Sequence, residues 1–177
     1  MAMLQTLKSF FVPVRSTERD IVTPAPSTEY SIRPLTAAQI KELVRLNLRC
    51  FPEGDSYNKH TLNYLLNESM TVSYRIVTPS DELVAFAFVM INGNGAAHLT
   101  TIGVAPEHRR RGLGFRLLEH LEKVLKQKEI GTIMLEVRVG NFAAQNLYRR
   151  IGYTVVQRIN NYYNNGEDCY LMMKPLV

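Results

Sequence analysis

The run Arg109-Arg110-Arg111-Gly112-Leu113-Gly114 constrains this chain more than any other stretch, because it joins an apolar strand to a long amphipathic helix. Residues 98–104 alternate as a strand. Beyond the run, Leu113, Leu117, Leu121 and Val124 recur at helical spacing, joined by Leu118 and Leu125, to about Glu129. Glycines at 112 and 114 let backbone amides approach an anion, and the helix beginning there points its positive end at the same place. Three arginines add charge. Such a turn suits a polyanion, most simply a pyrophosphate. Neither nucleotide fingerprint fits, since the chain lacks both Gly-x-Gly-x-x-Gly and Gly-Lys-Ser/Thr at this turn.

A chain of 177 residues with 46% hydrophobic content can bury one ordinary core. Residues 1–28 carry Pro13, Pro24 and Pro26 with little periodicity and read as an extension, surface-packed or partly disordered, before a domain over 29–177. Phe10-Phe11-Val12-Pro13-Val14 is followed by Glu18 and Asp20 without a small-residue cleavage site, so a secretory leader is not expected. No apolar run approaches the ~20 residues of a membrane span. Cys50 and Cys169 stand far apart with no metal-ligand companions at short spacing, which favours a reduced, cytoplasmic protein without a bound metal. The formal charge of +5 favours anions, but it peaks at the arginine loop and lacks a basic tail or aromatic RNA signature. A highly anionic cofactor accounts for it more simply than nucleic acid does.

The remaining elements alternate. Residues 30–34 read as a first strand, and Thr36 caps a helix over about 37–49, with Ile40, Leu43, Val44 and Asn47 on one face. Phe51-Pro52-Glu53-Gly54-Asp55 breaks it, and a short helix follows near 59–66. Residues 72–77 and 83–91 form a strand pair, 132–139 another strand, and 142–150 a helix ended by Gly152. Residues 153–159 and 168–173 close as a hairpin. This order predicts a single α/β (or α+β) domain, a mixed sheet with helices on both faces. Period two puts Ile133, Leu135, Val137 and Val139 on one face and Met134, Glu136 and Arg138 on the other. The same rule puts His98, Thr100, Ile102 and Val104 on one face, so neighbouring strands would aim His98 and Glu136 into one cleft.

The arginine loop fits Arg-x-x-Gly-x-Gly, and in this respect the chain resembles the GNAT acetyltransferases. The run Leu135-Glu136-Val137-Arg138-Val139-Gly140-Asn141-Phe142-Ala143-Ala144-Gln145-Asn146-Leu147-Tyr148, ending in Ile151-Gly152-Tyr153, is similar to a block of the protein N-terminal acetyltransferases of the RimI and Ard types. So is the stretch Asn161-Tyr162-Tyr163-Asn164-Asn165-Gly166-Glu167-Asp168-Cys169-Tyr170-Leu171-Met172, although Cys169 stands where the family usually has Ala. The resemblance implies the GNAT fold with a mostly antiparallel sheet, acetyl-CoA as co-substrate, and a protein or peptide N-terminus as acceptor. Ribosomal proteins or an auxiliary subunit would be partners; a membrane would not.

The same resemblance implies roles. Ile102, Gly103 and Val104 would pair with the pantetheine arm and acetyl carbonyl; Arg109, Arg110, Arg111, Gly112, Leu113 and Gly114 would hold the pyrophosphate. Asn141 and Tyr148 would border the thioester. Glu136 would be the general base, His98 would assist or replace it, and Tyr148 would serve the departing thiolate. Phe51, Pro52, Glu53 and Tyr57, with Tyr162 and Tyr163, would hold the peptide. A modest base suits this chemistry, because an α-amine has a pKa of ~7.7–8.0 against ~10.4 for lysine, a difference of roughly 3 kcal/mol in deprotonation. Bland readings stand beside these: a core role for Tyr148 and hairpin packing for Tyr162 and Tyr163. A GNAT acting on small amines or lysine side chains, a non-catalytic acyl-CoA-binding module and a basic ribosome-associated protein are the rivals.

Overall fold

The computed structural model describes residues 22–52 and 54–176. The sequence elements appear in the expected order. They are β1 (Ser31–Pro34), α1 (Ile40–Cys50), α2 (Lys59–Asn67), β2 (Thr71–Val77), β3 (Leu83–Ile91), β4 (Ala96–Val104), α3 (Leu113–Gln127), β5 (Thr132–Arg138), α4 (Phe142–Ile151), β6 (Thr154–Ile159) and β7 (Cys169–Pro175). Residues 1–21, most of the expected extension, lie outside the described residues, as does Glu53. No helix among the described residues is long and apolar enough to cross a membrane.

The seven strands form one sheet in the order β1-β2-β3-β4-β5-β7-β6. All pairings are antiparallel except β4 with β5. Pro34, which cannot donate to a ladder, sits on edge strand β1. β3 is buried from Leu83 to Met90 without alternation because both its faces are covered. On one face Cys50 of α1 and Phe86 of β3 crowd Gly103, where an added Cβ would lie 2.7 Å from Phe86 Cε1 and 3.0 Å from Cys50 Sγ. On the other face Leu117, Leu118, Leu121 and Leu125 of α3 are fully buried. Removing one such leucine costs about 2–5 kcal/mol.

Local signals set the boundaries. Asn58 caps α2, its side-chain oxygen accepting from the Thr61 N–H at 2.9 Å. Gly152 ends α4 with φ 103°, a left-handed conformation that glycine adopts without a Cβ penalty.

Two features of β4 create the site. Pairing with β5 is confined to Ala96↔Thr132, Ala97↔Ile133 and His98↔Met134, after which the parallel strands part. Just beyond, the register with β3 jumps from Val89↔Leu99 to Phe88↔Thr101, leaving Thr100 as an extra residue. This bulge corrects the expectation that His98, Thr100, Ile102 and Val104 share one face. Strict alternation fails at Thr100, so His98 lies on the side of Met90, Phe88 and Gly103, while Ile102 and Val104 lie on the side of Ala87 and Ala85.

Candidate active site

The parting of β4 from β5 opens a cleft of about 510 Å³, lined by Ile102, Gly103 and Val104 of β4, the loop before α3, and Asn141, Ala144 and Leu147 around α4. The Ala105 N–H donates to Val84 of β3 at 2.8 Å, so by ladder alternation the Val104 N–H turns the other way, into the gap. It is a backbone donor with no neighbouring strand to consume it.

The arginine loop closes one end. Gly112 has φ 74° and caps α3, whose first amides have no intrahelical acceptor and point at the cleft. An added Cβ at Gly114 would lie 3.1 Å from Leu147 Cδ2, so its hydrogen lets α3 and α4 meet beside the loop. Arg109, Arg110, Gly112, Leu113 and Gly114 line the cleft with Phe115 and Arg150. This lining suits a phosphate-bearing, partly apolar ligand of the coenzyme A kind, with amides and cations at one end and the side chains of Ile102, Val104 and Leu147 along the arm.

The three arginines differ in use. Arg109 spends its guanidinium on the carbonyls of Val104 (3.1 Å) and Cys50 (3.3 Å), fixing the loop against β4 and α1. Arg111 turns away from the cleft. Its guanidinium donates to the carbonyl of Pro26 at 2.7 Å, to the Tyr30 hydroxyl at 2.9 Å, and to the Ala25 carbonyl. The Ala25 N–H donates to the Glu107 carbonyl at 2.9 Å, and Arg116 donates to the Tyr30 carbonyl at 3.0 Å. Residues 25–30 are therefore strapped to the loop. Arg110, with φ 63°, keeps its side chain at the cleft. Sequence alone could not apportion these duties, because the acceptors for Arg111 come from more than 80 residues away.

A smaller pocket of about 230 Å³ continues from the cleft and shares Ile102, Val104, Asn141, Ala144 and Leu147 with it. Glu136, Tyr57, Tyr148, Tyr163, Thr100 and Thr101 line this side. His98 Nε2 lies 2.6 Å from Glu136 Oε2, and both side chains are nearly buried, at 12% and 8% exposure. The expected pair exists, brought together by the short parallel ladder. Tyr148 lines the pocket and is 6% exposed; burial raises its phenol, which keeps its proton well past the ordinary range. Burial likewise raises Tyr57, with Glu136 charge adding to the effect, and Tyr162, again with Glu136 contributing. The Tyr57 hydroxyl reaches the carbonyl of the bulge residue Thr100 at 3.4 Å. Tyr162 and Tyr163 pack edge to face, ring centroids 5.2 Å apart. Asn141 caps α4, its side-chain oxygen accepting from Ala144 N–H at 3.1 Å. Phe51 borders both compartments, and Pro52 lines an adjoining pocket of about 360 Å³ with Asp55, Arg138 and Glu167.

Cys50 also lines the cleft, but burial pushes its thiol up to about 12 against the pull of Arg109 and Arg49. It stays protonated at neutral pH and is a poor nucleophile. Elsewhere, Glu82, Glu107 and His108 bring ligand-type atoms within 4.8 Å of one another. Glu107 is taken by Arg49 at 2.5 Å and His108 Nδ1 by the Tyr30 hydroxyl at 2.9 Å.

The residue that the sequence reading passed over is Arg138. It is placed on the Glu136 face by period two, yet nothing in the pattern reveals its partners. Its guanidinium binds both oxygens of Asp55 at 2.5 Å, Glu167 at 2.6 Å and Asn165 at 3.2 Å, and lies 3.7 Å over the Tyr163 ring.

Residues 40–153 match the Acetyltransferase (GNAT) family. An N-alpha-acetyltransferase of Saccharolobus solfataricus is 41% identical over 161 residues, an alignment spanning 84% of this chain and 94% of that protein. The [Ribosomal protein bS18]-alanine N-acetyltransferase of Escherichia coli is 36% identical over 103 residues, 56% of this chain and 69% of that one. Among solved structures, the ribosomal-protein-S18-alanine N-acetyltransferase from Escherichia coli superposes with a TM-score of 0.76 at 27% identity, covering 84% of this chain and 94% of that one. Ard1 from Thermoplasma volcanium shares the fold with a TM-score of 0.76 at 20% identity, over 84% and 98% of the two chains.

Proposed function

This chain belongs to the GNAT acetyltransferase family; from that premise we propose that it transfers the acetyl group of acetyl-CoA to the N-terminal α-amine of a protein or peptide. The observation that carries the reading is the His98–Glu136 pair, 2.6 Å apart, whose glutamate lines the pocket that continues from the cofactor cleft. Relatives named as N-alpha-acetyltransferases support the acceptor class.

Acetyl-CoA supplies an activated acetyl carbonyl and a thiolate leaving group. The chain supplies the rest. Loop amides at 110–114 hold the pyrophosphate, and Ile102, Val104 and Leu147 bracket the arm. The Val104 N–H offers a hydrogen bond to the carbonyl oxygen as negative charge develops there. Glu136 Oε2, with His98 Nε2 beside it, takes the ammonium proton of the acceptor so that its lone pair can attack directly. Tyr148, protonated through the working range, hydrogen-bonds the departing sulfur. The protonated, buried Cys50 supports direct transfer over an acyl-cysteine route. Phe51, Tyr57 and Tyr163 wall the peptide side, with Pro52 in the adjoining pocket and Tyr162 packed behind on the Tyr163 ring.

The test is coenzyme A release with peptides bearing free N-terminal Ala, Ser, Met-Leu or Glu, beside an N-blocked peptide with an internal lysine. Turnover confined to free N-termini is the expected outcome. Turnover on the blocked lysine peptide would overturn the α-amine reading.

A further inference from the structure

Glu136 and Arg138 stand two residues apart on β5, so their side chains share one face. One lies in the pocket where the acceptor amine would lose its proton. The other lies between two loops that wall the peptide side of that pocket.

The first wall carries Phe51, Pro52, Asp55 and Tyr57, the last with its hydroxyl bond to Thr100. The second is the β6–β7 connection, which carries Tyr162, Tyr163, Asn165 and Glu167. Asp55, Asn165 and Glu167 lie outside the helices and strands. Arg138 grips both walls at once. It takes Asp55 of the first wall in a two-pronged contact, and Glu167 and Asn165 of the second, while the Tyr163 ring covers its guanidinium. Its side chain is only 16% exposed, against 25% for Asp55 and 31% for Glu167. The anchorage beneath is hydrogen-bonded. The Arg138 carbonyl accepts from Gln145 Nε2 at 3.0 Å and from Asn141 N–H at 3.0 Å, and Gly140 N–H donates to Glu167 at 2.9 Å.

We infer that Arg138 is a positioning residue for the peptide: it clamps the two groove walls in the binding geometry before the acceptor arrives. This rests on the peptide-acetylation reading above. The two walls bring one carboxylate each to the same place, and these would repel one another without the guanidinium. A peptide would then have to order both walls as it binds. With the clamp in place, that ordering is done during folding. The forked, planar guanidinium is what the task requires, because it can meet two carboxylates and an aromatic face together; an ammonium cannot. The cofactor cleft contains none of Arg138, Asp55 or Glu167 among its lining residues, so the effect should fall on one substrate only.

The experiment is steady-state kinetics of Arg138→Lys with each substrate varied in turn, using the peptide that the parent enzyme turns over best. The expected result is a peptide KM raised about tenfold, with kcat and the acetyl-CoA KM within about twofold of the parent. Asp55→Asn and Glu167→Gln should move peptide KM in the same direction by less. Asp55→Asn added to Arg138→Lys should do little more, because its effect runs through the arginine. Equal rises in both KM values, or a fall in kcat alone, would overturn the clamp and leave Arg138 a structural residue. Should Arg138→Lys fail to fold, the two carboxamide variants decide the matter: unchanged peptide KM in both sinks the proposal. A parent enzyme silent with every free N-terminus would instead sink the acceptor reading, a different failure from an active parent whose variants keep their peptide KM.

Discussion

Glu136→Gln isolates the proton-accepting step. The substitution keeps side-chain shape and leaves an amide 2.6 Å from His98 Nε2, able to hydrogen-bond but not to accept a proton at neutral pH. General-base catalysis contributes about 10²–10⁴ in rate, which at ~1.36 kcal/mol per decade is roughly 2.7–5.4 kcal/mol of barrier. The low end is expected here. An α-amine near pKa ~8 costs only about 1 kcal/mol to deprotonate at pH ~7, so the base has less to supply than it would for a lysine. The defect should therefore be near a hundredfold at pH ~7 and should narrow by pH ~9, where most acceptor is already neutral. Acetyl-CoA affinity should hold within about twofold, since Glu136 is absent from the lining of the 510 Å³ cleft. Coenzyme A release across that pH range, with calorimetric binding of acetyl-CoA, reads all three quantities. A kcat within threefold of the parent (about 0.65 kcal/mol) would refute the assignment, as would a loss confined to cofactor binding.

Two further outcomes test the fold beneath the site. Gly103→Ala puts a Cβ 2.7 Å from the fully buried Phe86 ring and 3.0 Å from Cys50 Sγ. It should cost about 1–3 kcal/mol, or roughly 2–12 °C in melting temperature, with partial relief when Cys50→Ala is added; an unchanged melt would contradict the packing. Burial raises the phenols of Tyr57, Tyr148, Tyr153, Tyr162 and Tyr163. Their neutral forms favour the fold, so this stability is complete below the unfolded phenol value of ~10 and is lost as pH rises past it. Urea midpoints should fall steeply above about pH 10, the raised thiol of Cys50 adding a shallower decline from about pH 8.5, with the absorbance of these tyrosinates appearing as the protein unfolds. Full titration of these tyrosines near ~10 in the folded state would contradict it.

Local rules carried the sequence reading a long way. Gly152 marked a helix end by its chemistry, Leu113 through Leu125 fixed the buried stripe of α3, and period two put Glu136 on its correct face. What escaped was contact-dependent. The bulge at Thr100 reverses the face of half of β4, and no residue type there announces it. Gly103 looked like any strand glycine until Phe86 and Cys50 closed over it. Arg111 read as a phosphate ligand because its neighbours do, yet the carbonyls of Ala25 and Pro26 satisfy it. Arg138 had no visible partners because Asp55 lies 83 residues before it. Charge along a chain shows which groups need neutralising; only the fold shows by whom.

The most direct measurement of the central claim is mass spectrometry of one peptide carrying both a free N-terminal Ala and an internal lysine, after incubation with the full chain and acetyl-CoA. The account predicts a single acetyl group, located on the α-amine by fragmentation and accompanied by one equivalent of coenzyme A. Acetylation on the lysine with the N-terminus left free would contradict it.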